Sequence, residues 1–486
     1  MKQKSIGLNA ILNSIKSCLS IVVPLITFPY ATRILGVNNI GKINYALSIV
    51  HYFALIAILG ITTYAIREGS KVRDDKQEIQ KFSSEIFSLN FFTTLVSYVL
   101  LFVFILISTK MKEYRLLILI QSLSIIFTTI GIDWINSIYE DYLFITIRTI
   151  IINFISILAL FVFVKSPNDY YIYAILSVLT NAIIAVINYF YCKKYVKVKF
   201  TFSTNIFKHL KYTLIFFINS LSISIYVNSD MTMLGWICGD YFVGIYSVAA
   251  KVYNIVKTLL ASIYTVAIPR LSYYVGKNDM VKFRELFTKI MMYLSLILLP
   301  CISGLIGLAN EIVILLSGQD YIDSALTLKI LSISLLFAIF GGAVTSCLNI
   351  PLKRELLNMK ATIVSAITNI VLNIYFIPKF KQNGAAFTSA ISELIVLLIC
   401  IISLKKIYEY LNIKLFIKNF VHALLGMITV FVICSIYIHN IMLSILIKII
   451  FSIVIYGIEL ILLKNQCVKD VFNYIIKLKQ KGEKVL

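Results

Sequence analysis

The sequence predicts an all-α integral membrane protein of about 14 transmembrane helices, arranged as two pseudo-symmetric six-helix lobes plus a C-terminal helix pair. Of the 486 residues, 59% are hydrophobic and only 14% are charged, and the mean hydropathy is +0.90. Apolar stretches of about 20 residues, the length that crosses a bilayer as a helix, recur along the chain. A glycine-containing motif occurs twice, about 200 residues apart, as is typical of a duplicated helical unit.

Fourteen apolar spans are predicted, separated by polar connections. In chain order they cover about 8–30, 43–66, 85–108, 115–138, 143–164, 170–190, 212–236, 242–266, 289–316, 325–350, 359–377, 384–403, 419–438 and 442–463. Strands of a membrane barrel would show alternating segments of about ten residues, whereas these apolar runs are much longer. The first span lacks a small-residue cleavage site after a short apolar core, so we expect a membrane helix and not a cleaved signal peptide.

The distribution of Lys and Arg predicts which connections face the cytoplasm. If the N-terminus is inside, 31 Lys and Arg fall in inner connections and eight in outer ones. The positive-inside rule therefore predicts that both termini are cytoplasmic. The net charge of +22 is then a topology signal, and no nucleic-acid partner is expected. The eight cysteines are scattered and form no C-x-x-C pair, so neither disulfides nor a metal site is predicted.

Long inner connections divide the chain into predicted domains. We expect an N-terminal six-helix lobe at 1–200, a C-terminal six-helix lobe at 205–405 and an additional helix pair at 415–465. A cytoplasmic tail follows at 466–486, where apolar residues recur at helical spacing beside several lysines. This pattern favours an amphipathic helix on the anionic inner leaflet, and a frayed tail is the alternative.

Polar side chains recur at helical spacing within several spans, and in a bilayer such a face must contact water or another helix. The longest stripe, in the eighth span, comprises Ser247, Lys251, Asn254, Thr258, Ser262 and Thr265. A shift of 203 residues superposes Gly244 on Gly41 and places the start of this stripe on polar residues of the second span: Asn44, Ser48 and His51. Both repeats therefore direct a polar face toward a predicted hydrated cavity between the lobes, to which the seventh span adds Asn219. His51 either titrates in this cavity or packs as a histidine with satisfied hydrogen bonds.

Charged residues within the spans are few, and each has two interpretations. Lys251 and Lys16 either face the cavity or extend toward the membrane interface. Lys257 lies about 120° around the helix from Lys251, so it lines another side or pairs with a carboxylate. Asp230 and Glu393 are candidates for binding a coupling ion, either a proton or sodium, and pairing with Lys or Arg is the alternative.

The repeated motif carries a family resemblance. Residues 28–36 (Phe-Pro-Tyr-Ala-Thr-Arg-Ile-Leu-Gly), with Gly41 and 46–50, closely resemble the opening of Wzx-type polysaccharide flippases. The second copy, within 230–272, is similar to the seventh-to-eighth helix region of that family. The resemblance extends over essentially the whole chain. It implies the fold of the multidrug/oligosaccharidyl-lipid/polysaccharide (MOP) exporter superfamily, with two six-helix lobes that open alternately to each side.

The resemblance also implies a function and its site. A member of this family is a transporter and not an enzyme, and it turns a polyprenyl-diphosphate-linked oligosaccharide from the inner to the outer leaflet of the bacterial cytoplasmic membrane. Lys251, Lys16 and Arg33 are then the cations expected to contact the diphosphate. Expected partners are this lipid-linked oligosaccharide, membrane lipids and a polysaccharide polymerase, and no cofactor is expected beyond a coupling ion.

Three alternatives remain at this point. A multidrug or cation antiporter of the same superfamily would place acids in the first lobe, where no mid-span carboxylate is found. A membrane glycan polymerase would carry a long outer loop, whereas no outer connection exceeds roughly a dozen residues. The related peptidoglycan lipid flippases carry several arginines on their first helices. Here that cluster is reduced to Lys16 and Arg33, which disfavours this sub-family.

Overall fold

The computed structural model describes residues 6–202, 205–404 and 407–470, without the side chains of residues 6–17, 20, 215, 219, 222–223 and 226–227. Within these ranges the chain is helical and contains no β-strand. Eleven of the described helical segments are long and apolar enough to cross a membrane. The predicted all-α, multi-pass membrane fold is therefore confirmed. Residues 471–486 of the predicted amphipathic tail lie outside the described residues.

The described helices fall into two compact units, Met1–Gly244 (unit 1) and Ile245–Leu486 (unit 2). The helices of unit 1 are α1 (Ile6–Ile58), α2 (Ile61–Val72), α3 (Lys76–Ile107), α4 (Met111–Gly131), α5 (Asp133–Ile138), α6 (Tyr142–Phe163), α7 (Tyr170–Cys192) and α8 (Asn205–Ile237). Helix α9 (Asp240–Thr265) begins in unit 1 and continues in unit 2. It is followed by α10 (Ile268–Gly276), α11 (Met280–Gly307), α12 (Ala309–Ser317), α13 (Ser324–Ala343), α14 (Glu355–Ile402), α15 (Ile413–Ser435) and α16 (Ile441–Leu462).

Two of the membrane segments are long enough to contain two predicted spans each. The segment Ile21–Val72 has 52 residues and Glu355–Ile402 has 48, against the roughly 20 that one crossing needs. Helix α1 is interrupted at Gly36 (φ 74°, ψ 169°), a conformation that is essentially restricted to glycine. Helix α14 is interrupted at Lys381 (φ 53°), three residues after Pro378. The total of fourteen spans stays a prediction.

The described part of the connection between α7 and α8, which ends at residue 202, lies along α3. Lys199 donates its backbone N–H to Ser84 Oγ at 3.1 Å, and Thr201 donates its own to Ser88 Oγ at 2.9 Å. Alternate residues of an extended chain thus bind side chains spaced one helical turn apart. Helix α8 then packs against α1, α2 and α3 within unit 1.

In unit 2, the helix pair α15–α16 is fastened to α11 and α12 by polar contacts. Asn419 donates to the backbone carbonyl of Met292 at 2.9 Å. Lys448 of α16 forms an ion pair with Glu311 of α12 at 2.8 Å, with the lysine side chain only 4% exposed. A buried ion pair of this kind fixes one arrangement of the helices, because separating the partners would leave a buried charge without compensation. The predicted lobes follow the sequence repeat, whereas the two units are defined by compactness, so the two divisions of the chain differ. The predicted lobe boundaries stay a prediction.

Candidate functional site

The two copies of the glycine motif contact each other within unit 1. A methyl group on Gly41 would overlap the backbone carbonyl of Asp240, and one on Gly244 would overlap the carbonyl of Val37. The shift of 203 residues that relates Gly41 to Gly244 also relates Val37 to Asp240. The two close approaches are therefore equivalent under the sequence repeat. Glycine is needed at both positions because a helix backbone passes directly over each of them.

The predicted polar face of the second span is divided between packing and exposure. Ser48 is buried and donates a hydrogen bond to the carbonyl of Tyr45 at 2.7 Å. Its Oγ also lies 2.9 Å from Thr232 Oγ1 of α8. His51, about one turn further along, is exposed. Ser48 thus helps to hold α8 against α1, whereas His51 is accessible.

The remaining predicted residues of unit 1 differ in their accessibility. Arg33 is exposed and precedes the interruption of α1 at Gly36. Asp230, on α8, is 1% exposed. The side chains of Lys16 and Asn219 lie outside the described residues. Among the predicted positions of unit 1 whose side chains the structure describes, Arg33 and His51 are exposed.

Helix α9 presents a polar face along most of its length in unit 2. Lys251 is half-buried, and the next polar positions at helical spacing are exposed: Asn254, Thr258, Ser262 and Thr265. Ser247, at the start of the stripe, is buried. The face thus begins in packed surroundings and opens into an accessible polar strip.

A second face of α9 carries a partly buried ion pair with α14, in which the Lys257 side chain is 31% exposed. Lys257 Nζ is 2.5 Å from Glu393 Oε1, and the Tyr253 hydroxyl donates to the same oxygen at 3.1 Å. Glu393 is 7% exposed and Tyr253 9%. Lys257 therefore neutralises the buried carboxylate of Glu393. Pairing with an oppositely charged side chain was one of the two interpretations that the sequence allowed for each of these residues.

Other charged groups are buried in places that hydropathy does not reveal. Glu85 stands at the predicted start of the third span, and His209 precedes the seventh. The structure nevertheless brings these two residues together at 3.1 Å across 124 positions of sequence. Only an alignment with covarying positions could have linked them beforehand. Among the described residues, no cluster of three or more His, Cys, Asp or Glu could hold a metal ion.

The amino-acid sequence matches two family models. Residues 6–275 match the model described as "Polysaccharide biosynthesis protein", and residues 216–375 match the model MatE. The first match extends over more than half of the chain. The two overlap in the region that contains the second copy of the glycine motif and the start of α9.

Individual proteins are similar over most of the chain. The capsular polysaccharide biosynthesis protein CapF of Staphylococcus aureus is 26% identical, covering 74% of this chain and 89% of CapF. The "Putative O-antigen transporter" of Escherichia coli (strain K12) is 25% identical, covering 77% of this chain and 91% of the relative. Among solved structures, the lipid II flippase MurJ in an inward closed conformation superposes with a TM-score of 0.75. The identity is 20%, and the match covers 92% of this chain and 98% of that one. The likeness to MurJ establishes a shared fold.

Proposed function

Because the chain belongs to the polysaccharide biosynthesis protein family, we propose that it flips a polyprenyl-diphosphate-linked oligosaccharide across the bacterial cytoplasmic membrane, from the inner to the outer leaflet. The names of the CapF and O-antigen transporter relatives support a role in exporting a surface glycan. The MurJ-like fold supports a transport mechanism of the kind used for lipid-linked substrates. Membership of the MOP exporter superfamily, suggested by the motif, agrees with both findings.

The polar face of α9 is the observation that carries the proposal. Four accessible polar side chains and the half-buried Lys251 follow one another at helical spacing on a membrane helix. A lysine facing lipid at the centre of a helix costs about 2.5–3.5 kcal/mol, so such a face must contact water, another helix or a polar ligand. We infer that this strip lines the route of the hydrated sugars and the diphosphate, while the polyprenyl chain stays in lipid.

The cations of the predicted site suit a diphosphate. Lys251 lies within the polar strip, and Arg33 is exposed in unit 1. Lysine and arginine donate charge-assisted hydrogen bonds to phosphate, and these bonds take the place of those that water made before the phosphate entered the transport route. Arg33 and Lys16 in unit 1 and Lys251 in unit 2 are each proposed to contact the diphosphate, and Asn254, His51 and Asn219 are proposed sugar contacts. Alternating access driven by an ion gradient is part of the proposal, with Asp230 as the candidate for ion binding.

A flip assay in liposomes tests the proposal. Fluorescent polyprenyl-diphosphate oligosaccharide is placed in both leaflets of vesicles containing the purified protein. Its exposure to an added quenching reagent is then followed, with and without an imposed ion gradient. We expect rapid flipping by the wild type and at least a tenfold slower rate for Lys251→Ala, because one charge-assisted contact to phosphate contributes about 1.5–3 kcal/mol.

Lys277→Ala is the matched control, since this exposed lysine follows α10 and lies outside the polar strip. It removes the same charge and should flip at the wild-type rate. Equal rates for Lys251→Ala and wild type would reject the site but keep the function. Absence of flipping under every gradient would instead favour a multidrug or cation antiporter of the same superfamily. The transporter fold gives no support to the polymerase alternative.

A further inference from the structure

An apolar groove lies on unit 1 between the end of α1, the middle of α3 and the first turns of α8. Its volume is about 550 Å³, which is within the range of small-ligand pockets. Among the described residues that line it only Thr93 is polar, and its hydroxyl donates to the backbone carbonyl of Ala57 at 2.6 Å. Two other lining side chains, Val96 on α3 and Phe207 on α8, are 53% and 74% exposed. This cavity, the α8 groove, is therefore an accessible apolar surface.

The connection before α8 is apolar on one side and cationic on the other. Phe200 and Phe202 both contact the ring of Phe92 on α3, with centroid distances of 5.6 and 5.8 Å. Phe92 and Phe202 also line the groove. Lys197 and Lys199 occupy alternate positions of the same segment and are exposed. Because successive side chains of an extended chain point to opposite sides, the segment separates its aromatic rings from its charges.

Two further exposed lysines lie on the first turns of α8. Lys208 directly follows the lining residue Phe207, and Lys211 directly follows the lining residue Leu210. Each lysine is therefore about 100° around the helix from a side chain that lines the groove. A long lysine side chain can lie along apolar surface with its ammonium group in water or at a headgroup. The groove thus has cations beside its first helical turns.

The positive charge beside the groove is not compensated by acids. In the described part of the chain none of these four lysines forms an ion pair. Acids on the helices packed against α8 contact other groups: Glu68 on α2 binds Lys71 at 2.6 Å, and Glu85 on α3 contacts His209 at 3.1 Å. An accessible apolar groove and uncompensated cations therefore occur side by side.

We propose that the α8 groove binds an anionic membrane phospholipid, with one acyl chain in the groove and the phosphate beside Lys208 and Lys211. The lysines select an anionic lipid, because a zwitterionic headgroup brings its own cation. They belong to a connection that the Lys and Arg distribution predicts to be cytoplasmic, and the inner leaflet is the one that exposes anionic lipids to this side. The transported lipid of the proposed function has a much longer chain, so the limited volume of the groove favours a phospholipid.

The charge selection is tested by native mass spectrometry of the full-length protein in detergent. Phosphatidylglycerol and phosphatidylcholine with the same acyl chains are titrated, and the dissociation constant of the first bound lipid is measured. We expect the wild type to bind phosphatidylglycerol at least tenfold more tightly. Lys208→Gln/Lys211→Gln should reduce this preference to threefold or less, whereas Lys112→Gln/Lys277→Gln removes two exposed lysines elsewhere and should keep it. Equal binding of both lipids by the wild type, or a preference that survives Lys208→Gln/Lys211→Gln, would overturn the proposal.

The groove is tested by filling it with a larger side chain. Val96→Trp should weaken the binding of phosphatidylglycerol at least tenfold, because the indole takes the place of the acyl chain. Val99→Trp is the matched control, since Val99 is 55% exposed on the same helix and does not line the groove. Leu214→Trp fills the groove from α8 and should give the same loss, so the result does not depend on the folding of one variant. Wild-type binding by both groove variants would overturn the groove as the acyl-chain site.

Competition with a second lipid tests the identity of the occupant. An excess of polyprenyl phosphate should leave the binding of phosphatidylglycerol to the wild type unchanged. Displacement of phosphatidylglycerol would instead assign the groove to the transported lipid and overturn the proposal. No flipping is measured in any of these experiments, so their outcome is separate from that of the proposed function.

Discussion

At the scale of single residues, the interior of unit 2 shows how a membrane protein keeps charges away from lipid. Lys257 and Glu393 are 136 positions apart in sequence and form a 2.5 Å ion pair. The tyrosine hydroxyl of Tyr253 supplies a second donor to the same carboxylate oxygen. Hydropathy and helical spacing could place both charges within spans, but only the packing of α9 on α14 reveals that they are partners. The pair stabilises the structure only while both members are present.

Breaking this pair on one side should be costly, whereas removing both charges should not. We expect Glu393→Leu to destabilise the protein by up to about 3 kcal/mol, because the partly buried Lys257 loses its counter-charge. The double variant Lys257→Met/Glu393→Leu should return to within about 1 kcal/mol of the wild type, since the apolar side chains need no compensation. Thermal unfolding in detergent measures both. A double variant as unstable as the single one would contradict this account.

The same double variant also tests Glu393 as an ion-binding residue. If Glu393 serves only to pair with Lys257, the double variant should flip lipid-linked oligosaccharide with the same response to an imposed ion gradient as the wild type. If Glu393 binds the coupling ion, the gradient should no longer change the flipping rate. Asp230→Asn is the comparison in unit 1, where the buried carboxylate remains the other predicted ion site.

At the scale of helices, the predicted spans and the helices of the structure differ in where they begin and end. Predicted span one and most of span two lie in α1, with the end of span two in α2, and spans eleven and twelve lie in α14. Each pair of spans is separated by an interruption of one residue, Gly36 or Lys381, and not by a loop. A hydropathy profile averages over about 19 residues, so it detects the polar gap but not the backbone geometry within it. Gly36 could be anticipated as a glycine in a motif, whereas the positive φ of Lys381 has no local sequence signal.

The reciprocal contact between the motif copies makes a prediction about α1 and α9. Gly41→Ala and Gly244→Ala each force a methyl group into a backbone carbonyl, so we expect each to destabilise the protein by about 1–3 kcal/mol. Gly457→Ala in α16 is the matched control, because nothing lies within 4 Å of its added carbon. It should be neutral or stabilising by up to about 1 kcal/mol, since alanine favours a helix over glycine. Similar unfolding temperatures for all three variants would show that the close approaches are not rigid.

At the scale of the whole molecule, the contacts of unit 1 sort its connections into two groups. Arg73, after the second span, binds Glu140, after the fourth, at 3.1 Å. Lys194, after the sixth span, binds Asp141 at 3.1 Å. At the other end, the side chain of Asn39 donates to the carbonyl of Pro167 at 2.8 Å. Even-numbered and odd-numbered connections therefore lie at opposite ends of the helices, as alternating crossings require.

This grouping predicts the side of the membrane for the connection at residues 139–141, about which the positive-inside rule gives no information. Residues 139–141 contain no Lys or Arg and two acids, yet they bind cations from two neighbouring connections that the rule predicts to be cytoplasmic. We therefore expect reporters inserted after residues 74, 140 and 197, and at the C-terminus, to give fluorescent GFP and inactive alkaline phosphatase. Insertions after residues 39, 111 and 166 should give the opposite result. An active phosphatase at residue 140 alone would place the acidic connection outside. Glu140 and Asp141 would then lie on the opposite side of the bilayer from Arg73 and Lys194. The ion pairs with these two residues could not form, so this result would contradict the arrangement of the connections in unit 1.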